Sequence, residues 1–502
     1  MLAWTIYLSF AGALVEALLP KGRAGLARAV ALVVALAGFA IALAGYFGEM
    51  GQGRVIITDA AWVPAMGIHY LLAADGISRV VVLLTGLAAV AGVLFSWNIE
   101  HRTNEFFAFF LALIGGVYGV FLSFDLFLLF VFYEIAIVPK YFLIAIWGST
   151  RREYAAMKLA LYSFAGSAMV LIGLLAAYAT SGSHSTSLIA LGQAGFSTHF
   201  QMWAFPLTFV GFGILAGMWP FHTWAPTGHV AAPTAASMLL AGVVMKLGAY
   251  GCLRVSMVLF PRGMDPWGFG LLGIGSWRDV FAILAIIGIV YGALVALVQT
   301  DFKFVIGYSS VSHMGFVLLG LMTLNQIGLT GAVLQMFSHG VLAGLLFAIV
   351  GRMVYDRTHT RQLAELEGMQ LSRRMPFAAW AFVIAGMASM GLPGFSGFVA
   401  ELQVLVGSWR ATPWWTAAAG VGIVVGVAYT WRALQKAFFA DVPHTQHLHA
   451  DENGHAFAPI TWPEVSGFVL LAGTSLIVGL YPRILLDSIE PAVKTLLAGG
   501  GR

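Results

Sequence analysis

The chain has 502 residues, of which 60% are hydrophobic and only 10% are charged, and its mean hydropathy is +0.88. Soluble domains carry roughly 25% charged residues, so the composition excludes an ordinary soluble protein and indicates an integral membrane protein. The formal net charge of +4, without a long basic run, excludes nucleic acid as the expected partner. The single cysteine, Cys252, excludes an internal disulfide and a cysteine-based metal or iron–sulfur site.

The apolar segments are long enough to cross about 30 Å of hydrocarbon as helices. The first of them lacks the basic start and the cleavage site of a signal peptide, and it is therefore predicted as a retained helix. The fold class predicted is all-α, a polytopic transmembrane helix bundle of about fourteen helices in one membrane domain, residues 1–502. In chain order the predicted spans are 2–19, 26–46, 76–96, 106–124, 126–147, 158–178, 203–219, 233–258, 280–299, 304–323, 328–352, 377–402, 413–435 and 461–481.

Lysine and arginine concentrate in alternate loops. By the positive-inside rule these loops face the cytoplasm, which predicts an even number of helices with both termini outside. The preference for Arg over Lys and the many Ala, Gly and Val residues favour a bacterial chain, hence the inner membrane. The cytoplasmic set is Lys21, Arg23, Arg28, Arg102, Arg151, Arg152, Lys303, Arg352, Arg357, Arg361, Arg373, Arg374, Arg432 and Lys436.

Two predicted spans are interrupted by glycine and proline. The seventh contains GMWPFHTWAP, with Pro220 and Pro226, and the twelfth contains MGLPGFSGF, with Pro393. Broken helices in corresponding positions of two halves are typical of inverted-repeat transporters whose ion path lies near the midplane. The alternative is a pair of packing kinks.

The fifth span contains two ionisable residues, Glu134 and Lys140, separated by Pro139. A charge at the bilayer centre costs about 2.5–3.5 kcal/mol by insertion scales, so such groups usually face a wet cavity or each other. For Glu134 the alternative is a neutral carboxyl that is hydrogen-bonded to a neighbouring helix. For Lys140 the alternative is a side chain that extends to the membrane interface near Trp147.

Three more charges lie within or at the start of apolar spans: Lys158, Lys246 and Glu401. Buried lysines change their protonation state readily, and Glu and Lys groups whose charges depend on one another are the minimum equipment of a proton relay. Several such groups on separate spans indicate a cation path more strongly than any one of them would.

His313 and His339 lie in two adjacent spans among serine residues, and imidazole can pass protons near neutral pH. Their alternative role is packing. His222 and His229 flank the first break. A polar loop near the C-terminus predicts either a solvated segment or, less favoured, a metal site; its candidate ligands are His444, His447, His449, Asp451, Glu452 and His455.

Five segments resemble one family, the antiporter-like subunit M of proton-translocating NADH:quinone oxidoreductase, respiratory complex I. The chain resembles subunits of multisubunit cation/proton antiporters and of membrane-bound hydrogenases less closely. The segments that carry the resemblance are EIAIVPKYFLIAIWG, PFHTWAPTGHVAAPTAASMLLAGVVMKLGAYG, ALVQTDFKFVIGYSSVSHMGF, QMFSHG and MGLPGFSGFVAELQVLVGSW.

The resemblance implies fourteen helices with two inverted five-helix repeats, residues 106–258 and 280–435, and a hydrated axis of charged residues. It implies other membrane subunits as partners and no cofactor on this chain, since NADH, quinone and the redox centres would belong to partner subunits. The residues to which it assigns proton translocation are Glu134, Lys158, Lys246, His313, His339 and Glu401.

The sequence departs from the family pattern at the seventh-helix lysine, which is expected five residues before Pro220 and is Leu215 here. Lys140 stands where the family has an apolar residue. We therefore expect Lys140 to supply the charge that Leu215 lacks and to join the proton-translocating set. The family's loop charges are also absent at three positions, Thr227, Ala231 and Phe304.

Two other functions remain open at this point. One is a subunit of a Na⁺/H⁺ antiporter or of a membrane-bound hydrogenase, and the other is a structural membrane spacer that has lost transport. The sequence contains no phosphate-binding glycine motif that opens a strand–helix unit, so nucleotide binding is not expected.

Overall fold

The structure is a computed structural model that describes residues 1–48, 53–267, 274–440 and 457–499. Twelve segments of the described residues are helices long and apolar enough to cross a membrane, and two shorter apolar helices complete the series of fourteen. The series follows the fourteen predicted spans in order, which confirms the predicted fold class. The bounds are α1 Ala3–Leu18, α2 Ala24–Phe47, α3 Gly76–Phe95, α4 Thr103–Leu122, α5 Leu126–Trp147, α6 Arg152–Ser181, α7 Thr198–Ala231, α8 Thr234–Met257, α9 Trp277–Val298, α10 Phe302–Met322, α11 Gln326–Thr358, α12 in two parts (Pro376–Ser389 and Ser396–Ala411), α13 Pro413–Phe439 and α14 Trp462–Leu480; a final helix, α15, covers Arg483–Gly499.

Both predicted breaks are present. Regular helix in α7 ends at Ala216 and resumes at Trp224, and the two parts of α12 are joined by a short irregular segment. In that segment Gly391 and Gly394 have φ angles of +78° and +101°, which L side chains rarely adopt, so glycine is required there. A side chain at Gly391 would also stand 3.1 Å from Oε2 of Glu401. The break in α12 therefore adjoins a charged group.

A third interruption was not predicted. The fifth span was predicted as one segment, 126–147, but regular hydrogen bonding divides α5 into two parts, Leu126–Ile135 and Ile137–Trp147. Pro139 has no backbone N–H, so the carbonyl of Ile135 loses its helical partner. Glu134 precedes this interruption and Lys140 follows it.

A β-hairpin connects α2 to α3, although no strand was expected. Strand β1, Val55–Val63, pairs antiparallel with strand β2, Ile68–Ala74. Their register runs from Val55 opposite Ala74 to Val63 opposite Ile68. The hairpin is a small addition to a helical bundle and leaves the all-α class unchanged.

Three helices form the centre of the bundle. Every residue in the most apolar stretch of α3, α8 and α11 is buried. In α2, α13 and α14, by contrast, two thirds or more of the residues in that stretch are not buried. Lys246 lies on α8 and His339 on α11. Neither side chain can therefore face lipid.

Ion pairs join the loops that carry the cytoplasmic set of basic residues. Arg352 and Arg357, at the end of α11, each lie 2.9 Å from the carboxylate of Glu464 at the start of α14. Arg361 lies 2.5 Å from Asp301, which precedes α10. These contacts bring alternate loops together at one end of the bundle, as the predicted topology requires.

At the opposite end of the bundle, Arg254 of α8 forms a buried ion pair with Asp75. Asp75 also caps α3, because its carboxylate accepts a hydrogen bond from the backbone N–H of Ser78 at 3.0 Å. Burial opposes ionisation of this carboxyl, but Arg254 and the Ser78 N–H together lower the pKa of Asp75. The stabilisation is thus present above the usual aspartate pKa and is lost only as the pH falls through the lowered value.

We expect Asp75→Ala to destabilise the protein by about 3–5 kcal/mol, because it leaves the Arg254 guanidinium buried without its counter-charge. The thermal midpoint of the purified complex and the amount assembled measure this effect. Glu105→Ala, which removes the exposed pair between Arg102 and Glu105, is the control and should change neither. Equal effects of the two substitutions would contradict a special role for the buried pair.

Candidate proton-transfer site

The centre of the site is a contact between Lys246 and His339. The Lys246 Nζ lies 2.7 Å from Nδ1 of His339, and both side chains are buried. The same Nζ donates a hydrogen bond to the carbonyl of Ala241. Ala241 belongs to a π-helical turn, Leu240–Val244, that immediately precedes the lysine's own helical segment. Such turns are frequent at functional sites because they change the direction in which a helix presents its side chains.

The row of groups continues from His339 to α10 and α12. The imidazole rings of His339 and His313 stack with their centroids 5.5 Å apart. The Nδ1 of His313 lies 3.0 Å from Oε1 of Glu401, and Nε2 of Gln335 lies 3.4 Å from the same oxygen. Lys246, His339, His313 and Glu401 therefore form one row across four helices, which we call the central row.

A small cavity of about 10 Å³ adjoins the central row, which is about the space that one water molecule needs. Its polar walls include both histidines and Glu401, and Oγ of Ser389 lies 3.4 Å from Nε2 of His313. The Nε2 of His339 has no hydrogen-bond partner among the described residues. The cavity is therefore lined by hydrogen-bond donors and acceptors that can contact one water molecule.

A second group of ionisable residues lies on α5. Lys140 is 1% exposed and its Nζ donates a hydrogen bond to Oγ of Ser163 on α6, at 3.2 Å. Glu134 is half-buried, and its Oε1 has no hydrogen-bond partner among the described residues. Ser167, one turn after Ser163 on α6, donates a hydrogen bond to the carbonyl of Phe164 at 3.3 Å. Because the Lys140 side chain is enclosed by protein, the structure does not support its extension to the membrane interface.

Lys158 lies apart from both groups. It is half-buried on α6, with Nζ 3.5 Å from Oγ1 of Thr227 in the second half of α7 and 5.8 Å from the ring of Tyr154. Leu215 is 1% exposed, near the end of the first half of α7. The position at which the resemblance predicts a lysine is therefore in the protein interior.

Two comparisons with known sequences decide the family. A family model described as "NADH:quinone oxidoreductase/Mrp antiporter, TM" matches residues 123–426. NADH-quinone oxidoreductase subunit M of Rhodobacter capsulatus is 36% identical over 99% of this chain and 96% of its own length. The chain belongs to this family. An NAD(P)H-quinone oxidoreductase chain 4 of Synechococcus elongatus is 35% identical over 98% of this chain and 90% of its own length.

Solved structures agree with the family assignment. A chain of respiratory complex I from Thermus thermophilus superimposes with a TM-score of 0.89 at 26% identity, with complete coverage of both chains. A chain of the Mrp complex from Dietzia sp. superimposes with a TM-score of 0.83 at 22% identity, which shows a shared fold alone. The predicted resemblance to subunit M, the multi-pass membrane location and the association with other membrane subunits are thereby confirmed.

For this family member, sequence reasoning missed two polar residues of the site, Gln335 and Ser389. Gln335 lies four residues before His339, on the same face of α11, so an isolated amide in an apolar helix was the available signal. Ser389 ends the first part of α12, and only the break indicated its vicinity.

The polar loop with His444, His447, His449, Asp451, Glu452 and His455 lies outside the described residues. Among the residues that the structure does describe, no group of three or more His, Cys, Asp or Glu side chains could hold a metal ion.

Proposed function

We propose that this chain moves protons within a complex I-like quinone oxidoreductase along seven ionisable side chains. The observation that carries the proposal is the continuous, buried central row on α8, α11, α10 and α12. A spacer protein has no need to bury four ionisable groups in contact with one another, each at a cost. The full set is Glu134, Lys140, Lys158, Lys246, His313, His339 and Glu401.

The geometry supports a proton transfer at each contact of the central row. The Lys246 ammonium can give a proton to Nδ1 of His339 across 2.7 Å, and Nδ1 of His313 can exchange a proton with Oε1 of Glu401 across 3.0 Å. The two imidazoles face each other beside the small cavity, where one water would join them. Because three of the groups are buried and His313 is mostly buried, a proton on one changes the cost of charge on the next.

The group on α5 is the entry half of the proposed path. Its two charges have opposite sign and lie on the two parts of α5. Ser163 of α6 accepts a hydrogen bond from Lys140 at 3.2 Å and fixes the position of that charge. Because charges interact strongly where the dielectric constant is low, a change in the charge of Lys140 changes the cost of charge on Glu134 without direct contact.

We further propose that residues 106–258 and 280–435 are two inverted repeats. The broken helices support this division, because α7 and α12 are each the fourth helix of the five in their segment. The α5 group then lies in the first repeat, and the central row crosses the boundary, because Lys246 belongs to the first repeat and its other members belong to the second.

We also propose that redox catalysis occurs on partner subunits and that this chain binds no cofactor. Two relatives that match nearly the whole chain are named as subunits of quinone oxidoreductases, which favours this function over a cation/proton antiporter subunit. The subunit composition of the gently solubilised native complex tests it. Peripheral flavin and iron–sulfur subunits would support the proposal, whereas small membrane subunits alone would support the antiporter.

Replacing both His313 and His339 by phenylalanine is expected to stop proton movement through the chain, since the ring volumes remain and the titratable nitrogens do not. The protons translocated per electron by the assembled complex in vesicles measure the effect. His199→Phe, at an exposed position of α7, is the control and should leave the ratio unchanged. A wild-type ratio in the double variant would assign the two histidines to packing.

A further inference from the structure

Three buried serines form a continuous chain of hydroxyl groups beside the central row. Oγ of Ser338 on α11 lies 2.8 Å from Oγ of Ser396, the first residue of the second part of α12. Oγ of Ser396 lies 3.0 Å from Oγ of Ser475 on α14. All three side chains are at most 1% exposed. We call them the serine chain.

One end of the serine chain opens on the cavity of the central row. Ser338 lines that cavity together with His313, His339 and Glu401. The other end, Ser475, stands five residues before the end of α14 at Leu480. At 1.5 Å per residue, that distance is roughly 7.5 Å along the helix axis. This end of α14 is opposite the loops joined by Glu464 and Arg357, so it is the predicted outer end.

The break in α12 is what allows these serines to meet. Gly479 of α14 packs so closely on the irregular segment of α12 that a side chain there would stand 2.2 Å from the carbonyl oxygen of Gly394. This approach brings Ser475, one turn earlier on α14, to the start of the second part of α12. Ser396 occupies that first helical position, where its hydroxyl need not bond to a preceding turn.

The pattern differs from that of other buried serines near the central row. Ser309, Ser310 and Ser312 each donate to a backbone carbonyl, which fixes the hydroxyl proton on an acceptor that cannot pass it on. In the serine chain every contact joins two hydroxyls, and each hydroxyl can donate one hydrogen bond while it accepts another. Such a series can carry a proton: one oxygen accepts a proton while its own proton moves to the next oxygen.

We propose that the serine chain is an outward branch of the proton path, which leads from the central row through the break in α12 to the outer end of α14. The proposal rests on the proposed function, since it needs protons to reach the central row. A proton from Glu401 or His313 enters at Ser338 through the cavity, and the Ser475 hydroxyl releases one toward the outer end of α14. No charge remains on the serines after each transfer, because each hydroxyl that gains a proton passes its own to the next oxygen; the only bonds made or broken are O–H bonds and, where His313 gives the proton, one N–H bond.

The test compares variants of the assembled complex in vesicles and measures protons translocated per electron. Ser396→Ala and Ser475→Ala each remove one hydroxyl from the series, and each is expected to lower the ratio as far as Lys246→Ala does. Ser475→Thr retains a hydroxyl and is expected to restore the wild-type ratio. Ser78→Ala is the matched control, because it removes a buried hydroxyl-to-hydroxyl bond of 2.9 Å between α3 and α8, with Tyr250 as partner.

The possible results distinguish a failure of the serine-chain proposal from a failure of the proposed function on which it rests. A wild-type ratio in both serine variants, with a reduced ratio in Lys246→Ala, would overturn the serine chain and leave the proposed function intact. Wild-type ratios in all three variants would overturn both. A loss in Ser78→Ala as large as that in Ser475→Ala would assign the serine chain to helix packing, because interhelical hydroxyl bonds alone stabilise membrane bundles.

Discussion

A complex that carries Lys246→Met is expected to assemble normally and to lose proton translocation by about tenfold or more. Methionine retains most of the side-chain volume, so no cavity forms, but the charge and the donor to His339 disappear. No proton can then pass between this position and Nδ1 of His339. A rise of about 1.4 kcal/mol in the barrier to proton transfer already lowers the rate tenfold. Protons translocated per electron, measured in vesicles, give the result.

Two further variants make this experiment decisive. Lys246→Ala removes the charge and also creates a cavity, so a lower amount of assembled complex in that variant alone would reflect packing. Lys494→Met removes a lysine that is exposed on α15, and it controls for the loss of one positive charge. An unchanged ratio in the assembled Lys246→Met complex would remove Lys246 from the proton path.

This fold could be predicted from the sequence because the surrounding lipid restricts the structures that a chain can form. Because lipid offers no hydrogen-bond partners, each crossing must be a long apolar helix, and its length and composition are visible in the sequence. The same reasoning identifies Lys246 as functional, since an isolated lysine in an apolar span must face protein or water. Glycine and proline mark both breaks because they exclude regular helix from those positions.

Other features depend on contacts between distant segments, which composition does not encode. The β-hairpin was missed because strand β1 is mostly exposed and therefore lacks the alternation of buried and exposed residues that indicates a strand. The stacking of His313 on His339 requires that α10 and α11 pack in one particular register. The serine chain requires that α14 approach the break in α12. Residue type indicated that His313 and His339 were candidates, whereas Ser396 and Ser475 were not singled out, and only packing determines the partners of all four.

Glu134 and Lys140 show both what the sequence indicates and what only packing determines. On an uninterrupted helix, six residues advance the direction of a side chain by roughly 240° net, which separates the two groups. The structure interrupts α5 at Ala136, between the two residues, and Ser163 of α6 accepts a hydrogen bond from Lys140. The sequence contains both the proline and this serine, but it does not indicate that α6 presents Ser163 to α5.

Lys140→Met is expected to abolish most proton translocation, because Lys140 is the buried positive charge on the side of the bundle where Leu215 replaces the family's lysine. Its Nζ has a protein partner in Ser163, so its position is defined by packing and not by attraction to lipid headgroups. Ser163→Ala should have a smaller effect in the same direction, since it removes that partner and leaves the charge. The ratio of protons to electrons in vesicles measures both.

The double variant Lys140→Met with Leu215→Lys tests the relocation of the charge directly. Leu215 is buried in α7, so a lysine there enters the protein interior, where the family has one. We expect the double variant to recover proton translocation that Lys140→Met has lost, whereas Leu215→Lys alone adds a second buried charge and gains nothing. If Lys140→Met translocates protons at the wild-type ratio, the charge on α5 has no part in transport. If the single loss is real but Leu215→Lys does not restore the ratio, then Lys140 acts from a position that only α5 can provide. The residue would then be a separate feature of this chain and not a substitute for the missing lysine.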